Sequence, residues 1–594
     1  MTSTDSTKSQ HASDRQDIRS IEDFGLVRHP DTQGYVDDSE ALSRAFGGTG
    51  LGDIFANRFI VTCVLAACTG GLLKFVTYRP GFDQGILSVV YVMPRFLDQF
   101  PEVNDSVSTA ASFNKGLMTG MLEMGAFLGA LMAGFVADKY SRKASILFGL
   151  IWFVLGSTVQ TASFNYATLV AGRTLGGVGI GILSSTAPMY ISEASEVAPP
   201  NVRGALLAME QFTIVLGIIV MFYITYATRH IASDWCYRLP FLLQMVPSIF
   251  LGGSLYFLPY SPRWLASKGR EEECLDALCK LRQLPSSDPR IQAEWILIRG
   301  EAIHNREALL IRHPNMRGEG FKMELQREIA SWVDMFRPEV IRRTHIGIGL
   351  MFFQQFVGIN ALIYYSPSLF ETLGLDYELR LTLSGVMNVV QIAGVIPAIF
   401  LLDKLGRKFW LYFGSFGMMS SHFIVAAMVA RYSANWADHP AQAWVGVAFI
   451  LFYIWCFGTP VPWSMPAEVH ASSYRAKGVA LATCSNWINN FIIGLVTPPM
   501  IRNIGYGTFL FFGSFSFLSA VWTYFFIPET KGKTLEQMDA AFKTDQSAKD
   551  AVAKAEISQL LCPAGSGSSD DPARVDEKRY DKGGFEQEWQ ETVI

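Results

Sequence analysis

The sequence predicts an all-α integral membrane protein, with twelve transmembrane helices in two pseudo-symmetric six-helix bundles. Three observations predict it. Half of the 594 residues are hydrophobic and only 17% are charged, where a soluble protein carries ~25% charged residues. Twelve apolar runs approach the ~20 residues that cross a bilayer. Short charged motifs recur in the same order in both halves of the chain. Lipid offers no partner to a backbone N–H or C=O, so each run must close its own hydrogen bonds as a helix.

In chain order the runs lie near 59–95 (interrupted), 114–136, 144–162, 166–190, 205–228, 239–258, 345–372, 381–402, 409–430, 442–466, 477–501 and 507–527. One set of short connections carries Lys139, Arg142, Lys143, Arg203, Lys404, Arg407, Lys408, Arg475 and Lys477. The opposite set carries fewer cations: Arg95, Lys115, Arg229, Arg238, Arg380, Arg431 and Arg502. Positive charge stays inside, so both termini and the central loop are expected to be cytoplasmic. The expected division is a tail over 1–57, a bundle over 58–260, a loop over 261–342, a second bundle over 343–530 and a tail over 531–594. The N-terminal tail has no apolar signal-peptide core, so the first span is expected to act as the targeting signal. Asn104-Asp105-Ser106 then faces outside as a glycosylation triplet. In the central loop, "EEECLDALCKLRQL" places Leu275, Leu278, Leu281 and Cys279 near one face. That pattern predicts an amphipathic helix against the inner surface of the bundle.

Other functions find little support. A net charge of −4 leaves no basic surface for nucleic acid. The eight cysteines are scattered, and Cys274 and Cys279 have no partners at zinc spacing. No metal or cofactor is expected. No nucleophile–base pair or phosphate loop suggests an enzyme.

The repeat lies in the charges. "DKYSRK" (Asp138–Lys143) follows the second span and "DKLGRK" (Asp403–Lys408) the eighth. "EVAPPNVRG" follows the fourth and "EVHASSYRAKG" the tenth; in each, Glu precedes Arg by seven residues, Glu196 to Arg203 and Glu468 to Arg475. "PYSPRW" ends the sixth span and "PETKGK" the twelfth. The offsets are 265 (Asp138 to Asp403), 272 (Glu196 to Glu468) and 269 (Pro259 to Pro528). Parallel six-span halves are a transporter architecture, with the ligand between them at mid-membrane. Asp138, Arg142, Glu196, Arg203, Asp403, Arg407, Glu468 and Arg475 are expected to form interhelical ion pairs that latch the cytoplasmic ends.

The apolar seventh run contains "QQFVGINALIYYSP", Gln354 to Pro367. A buried amide without a partner costs a few kcal/mol, so a ligand or neighbouring helices must satisfy these groups. On a straight helix Gln355 and Asn360 would point about 140° apart. Both reach one ligand only if the helix bends or unwinds, which Gly358 and Pro367 favour.

Together "GFDQG", "DKYSRK", "AGRTLGGVGIG", "SPRWL", "QQFVGIN…YYSP", "DKLGRK", "PAEV…R" and "PETKGKTLEQM" resemble the sugar porter family of the major facilitator superfamily, especially fungal monosaccharide transporters. The likeness covers about 58–540. It implies the major facilitator fold and alternating access for a monosaccharide. It also implies site positions. Gln211 stands at the family's fifth-helix sugar glutamine. Gln354, Gln355 and Asn360 are the seventh-helix amides, and Tyr364 and Tyr365 the outer gate. Asn388, Trp463, Asn486 and Trp487 are the pocket residues of helices eight, ten and eleven. An amide offers donor and acceptor to a sugar hydroxyl.

Asp83 and Arg173 lie in membrane-buried runs, where a charge costs at least ~2.5–3.5 kcal/mol. The resemblance implies that Asp83 takes the proton and Arg173 is its partner, hence sugar–proton symport. Facilitative sugar transport, quinate or polyol transport and a non-transporting sugar sensor remain alternatives. Glu123 and Glu210 are expected to form structural ion pairs. The sequence departs from the family in three places. Seven residues, Lys74 to Pro80, separate "GGLL" from "GFD" where the family has about one; we read them as a translated gene-model error, which a spliced transcript retaining these codons would refute. "YISEASEVAPP" is about three residues longer, so Glu193 competes with Glu196 for the latch. Tyr260 replaces the family's Glu in "PYSPR".

Overall fold

The structure is a computed structural model. It describes residues 80–530, apart from 106–107, 196–199, 257–258, 283, 317, 319, 459–460 and 471–472, together with residues 542, 549, 552 and 557. The expected first span is therefore seen only from Pro80, as α1 (Pro80–Val90) and the short α2 (Pro94–Gln99). Lys74 to Arg79 of the inserted segment lie outside the described residues.

The N-terminal bundle continues as α3 (Thr109–Lys139), α4 (Arg142–Thr161), α5 (Tyr166–Ser195) and α6 (Pro200–Thr228). The sixth expected span is two pieces, α7 (Trp235–Leu243) and α8 (Val246–Ser254), with Pro240 inside the first and a proline in the first turn of the second. Each proline removes an intrahelical donor, so one straight rod is not favoured. Serines start α3 and α4: Ser108 accepts from Ala111 N and Ser141 from Ala144 N, each at 3.0 Å. The glycines of "AGRTLGGVGIG" let helices touch. A Cβ on Gly177 or Gly181 would collide with the Leu122 or Ala126 carbonyl of α3. Without a hydrophobic drive between helices in lipid, such close packing is what holds them.

The central segment forms α9 (Pro262–Ser267), α10 (Glu271–Arg282), α11 (Pro289–Arg312) and α12 (Phe321–Asp334). The expected amphipathic helix exists as α10, but its setting differs. Its buried face is Cys274, Ala277, Leu278 and Arg282, and it packs with Trp264, Leu265, Ile291 and Ile298 of α9 and α11. The bundle surface is met by other elements. Trp264 Nε1 donates to the Asp138 carbonyl at 3.1 Å. α12 joins both bundles: Glu324 pairs with Lys139 at 3.2 Å, and Glu328 pairs with Lys477.

The C-terminal bundle comprises α13 (Ile341–Phe356), α14 (Ile359–Glu371), α15 (Tyr377–Leu405), α16 (Arg407–Tyr432), α17 (Pro440–Phe457), α18 (Val461–Val469), α19 (Arg475–Ile504) and α20 (Tyr506–Phe526). Among the described residues, nine helical segments are long and apolar enough to cross a membrane, and Ile214–Thr228 of α6 is a shorter apolar run. α13 and α14 are one span broken at Gly358, where φ is +96°. Only glycine adopts that backbone at little cost.

Candidate functional site

The site grows from a buried ion pair. Asp83 on α1 and Arg173 on α5 are 1% and 0% exposed. Their contact is a fork: Nη1 to Oδ1 is 2.9 Å and Nη2 to Oδ2 is 3.0 Å. Arg173 Nε also donates to the Met118 carbonyl at 2.6 Å, and Nη2 lies 3.4 Å from the Thr119 carbonyl. This planar, two-point geometry suits guanidinium and would not suit lysine.

Gln84, next along α1, reaches across the bundles. Its Nε2 lies 3.3 Å from both Asn360 Oδ1 and the Tyr364 hydroxyl on α14. Asn360 Nδ2 donates to Gln355 Oε1 at 2.8 Å, and Gln355 Nε2 donates to Asn486 Oδ1 at 2.7 Å. Gln355 and Asn360 meet because α13 ends before Gly358 and α14 starts after it, as the 140° argument requires. The chain Gln84–Asn360–Gln355–Asn486 thus joins α1, α14, α13 and α19. Gln355→Ala removes both its links. A lost buried hydrogen bond costs about 1–3 kcal/mol, so an uptake KM roughly 5–150-fold higher is expected. Adding Asn486→Ala is expected to raise it less than additively, as for residues in one network.

At one end of this chain the two bundles meet directly. Tyr365 OH lies 2.6 Å from Thr119 Oγ1 and donates to the Gly494 carbonyl at 2.8 Å. Tyr91 hydrogen-bonds Thr119 and stacks on Tyr365 with centroids 5.7 Å apart. Tyr364 donates to Glu123. Further out, Arg229, in the turn just after α6, grips Glu378 of α15 at 3.1 and 2.6 Å. This pair is wet on the Glu side, so salt must weaken it. The initial uptake rate is therefore expected to depend less on ionic strength in Arg229→Ala than in the parent protein.

The Sugar (and other) transporter family model matches residues 63–542. The chain belongs to the sugar transporter family. The high-affinity glucose transporter of Kluyveromyces lactis is 32% identical over 80% of this chain and 83% of its own length. The probable quinate permease of Neosartorya fischeri is 32% identical over 79% of this chain and 86% of its own. In fold, the transporter is similar to the proton:xylose symporter XylE bound to 6-bromo-6-deoxy-D-glucose, with TM-score 0.62 and 24% identity over 80% of this chain and 99% of that one. The family identifies a multi-pass membrane sugar transporter of the major facilitator superfamily, not an enzyme.

Not every expected residue of the transporter joins the chain of amides. Gln354 faces away, into a cavity of about 50 Å³ inside the C-terminal bundle lined by Trp410, Ser415, Ser519 and Trp522, among others. It is one residue, about 100°, round the helix from Gln355. Asn388 is buried on α15 with Oδ1 unpartnered. Gln211 and Trp463 are half-buried on α6 and α18. Trp487 crosses to the N-terminal bundle, donating to Ser184 Oγ at 3.2 Å.

The residues expected to form a cytoplasmic latch are described only in part. Asp138 and Arg142 pair at 2.8 Å across the α3–α4 turn, four residues apart. Glu196 lies outside the described residues, and the side chains of Glu193, Arg203, Asp403 and Glu468 are not described. Arg475 is half-buried at the start of α19. Among the described residues, Glu529 just after α20 ties to the start of α16, accepting from Arg407 N at 3.1 Å and Lys408 N at 3.2 Å. In the N-terminal half Tyr260 takes that place, with Lys143 Nζ 4.9 Å from its ring centre. A cation–π contact thus stands where the other half has a carboxylate.

Sequence reasoning missed Gln84, Thr119, Tyr91 and Asn490, whose Nδ2 lies 3.4 Å from the Tyr364 hydroxyl, as members of the site. Gln84 was legible as the neighbour of Asp83. Nothing in the spacing marked Thr119, because a lone threonine in an apolar run is ordinary. Glu123 was expected in an ion pair but bonds Tyr364 instead, and Arg229, read as a loop charge, also ties the two bundles.

Proposed function

We propose that the transporter is a monosaccharide–proton symporter of the plasma membrane, with both termini cytoplasmic and bundles over 58–260 and 343–530. The observation that carries coupling is the adjacency of Asp83 and Gln84. One residue is held in the buried Arg173 fork; the next bonds Asn360 and Tyr364. A change in the ionisation of Asp83 therefore acts on the amide chain and the gate through one turn of α1. The gate is Tyr364 with Tyr365. The sugar takes the amides of Gln355, Asn360 and Asn486, with Gln211, Gln354, Asn388, Trp463 and Trp487 supplying the rest of the pocket. Buried amide oxygens of Asn388, Gln391 and Asn490 have no partner, and sugar hydroxyls would satisfy them. The remaining latch positions, Asp138, Arg142, Glu196, Arg203, Asp403, Arg407, Glu468 and Arg475, would hold the cytoplasmic ends together.

Facilitated uniport is the second reading. The completeness of the Arg173 coordination favours it, since a fully bonded pair can be purely structural. Quinate is disfavoured as cargo: its carboxylate would need a cation, and Arg173 is committed to Asp83. Labelled glucose uptake into vesicles of the purified chain, with and without an inward proton gradient, decides between symport and uniport. Symport predicts accumulation above equilibrium with the gradient; equilibration insensitive to the gradient would refute it.

A further inference from the structure

Glu123 of α3 is a carboxyl that the proton and sugar sites do not account for. It is 1% exposed. Oε1 accepts the hydroxyl of Tyr364, and Oε2 is buried without a hydrogen-bond partner. The direction of the Tyr364 bond is set by its other neighbours. Gln84 Nε2 at 3.3 Å and Asn490 Nδ2 at 3.4 Å are both amide donors to the same hydroxyl oxygen. The single phenolic proton is therefore committed to Glu123.

The charged groups around it are few. α1 contributes Asp83 and α5 contributes Arg173, both acting through space. Every donor atom of Arg173 is already placed on Asp83, Met118 O or Thr119 O. α14 presents Tyr364, and α19 presents Asn490. On α3 itself the nearest cation is Lys115, eight residues or about 12 Å away along the helix, paired with Asp105 at 2.7 Å. No described ion pair contains Glu123.

An ionised carboxylate in this setting has the Tyr364 bond, the Asn490 amide beside it and Arg173 acting only through space, with no ion pair, which is costlier than burying the neutral acid. Opening the gate must carry Tyr364 away from α3 and admit water, which solvates the charged form. We propose that Glu123 is a second proton-binding site, loaded when the outer gate tyrosine closes on it and emptied when that tyrosine leaves. The step is a plain protonation: carboxylate plus a proton from the outer solution gives carboxylic acid. Alternating access keeps the outer gate shut whenever the inner side is open. The proton on Glu123 is therefore returned to the side it came from. It makes gate closure favourable at low outer pH and adds nothing to the charge moved per sugar. In this it differs from Asp83. The proposal rests on the transporter reading, but not on symport.

The test uses the full chain in liposomes, with spin labels at Phe164→Cys and Asn435→Cys on the outer ends of the two bundles, in a background whose native cysteines are replaced. The distance between labels is read from pH 5 to pH 8, and sugar-driven current per sugar is read on the same preparation. The parent is expected to shift from closed to open as pH rises. Glu123→Gln is expected to favour the closed distance at every pH in the range, with slower transport and charge per sugar unchanged. A titration of Glu123→Gln like the parent's would overturn the proposal, as would a fall in its charge per sugar. Should Glu123→Gln not fold, Glu123→Met serves: it removes the carboxyl altogether, and a parent-like titration there overturns the proposal equally. Absence of current in the parent refutes symport alone, because the label distances still report on Glu123.

Discussion

Asp83→Asn is expected to abolish proton-driven accumulation of sugar while leaving exchange of internal for external sugar intact. Asparagine keeps the shape and can still accept from Arg173, yet it cannot carry the proton. Asp83→Ala is a poorer test. It leaves the guanidinium buried and unpaired, and breaking a buried pair in this way costs about 3–5 kcal/mol, so loss of fold would be confused with loss of coupling. Arg173→Lys is expected to fail too, since one ammonium cannot reproduce the fork and the Met118 carbonyl bond together. The measurement is the ratio of internal to external labelled sugar at steady state under an inward proton gradient. A ratio of one in Asp83→Asn, with parent-like exchange, is the expected outcome. Retained accumulation would make Asp83 a structural partner of Arg173 and place the transported proton elsewhere.

Gly358→Ala is expected to have the second largest effect. The residue sits at φ +96°, and a Cβ there would lie 2.7 Å from the Phe512 ring. The left-handed backbone costs a non-glycine residue roughly 1–2 kcal/mol. The overlap with Phe512 adds about 1–3 kcal/mol. The break between α13 and α14 is what brings Gln355 and Asn360 within 2.8 Å, so transport is expected to fall by at least 10-fold with a lowered melting temperature. His422 Nε2 at 3.0 Å and Tyr453 OH at 2.9 Å both meet the Val357 carbonyl beside the break. These contacts satisfy a carbonyl that would otherwise face the kink unbonded. Uptake rate and thermal unfolding of the same preparation check the prediction. Unchanged uptake in Gly358→Ala would mean the break is not needed for the site.

The pair Asp83–Arg173 was legible because two charges in apolar runs have few ways to be stable other than meeting. The break at Gly358 was legible because Gln355 and Asn360 cannot share a ligand on a straight helix. The site around Glu123 was not. A carboxylate in an apolar run calls for a partner, but the sequence cannot say whether that partner is a cation or a phenol 241 residues away. The same holds for Glu529, whose partners are backbone N–H groups of α16. Backbone donors carry no side-chain signature.

By itself the sequence determined the solvent, the number of apolar runs, the two-fold repeat and the identity of the buried charges. These follow from hydropathy and local spacing, which act over one or two helical turns. The tertiary structure decided which of two adjacent amides, Gln354 or Gln355, enters the cross-bundle chain, and which carboxylate accepts from Tyr364. One residue is about 100° of helix rotation. That angle is settled only when both bundles have packed, because the packing of distant glycine and aromatic contacts sets each helix's rotation about its own axis.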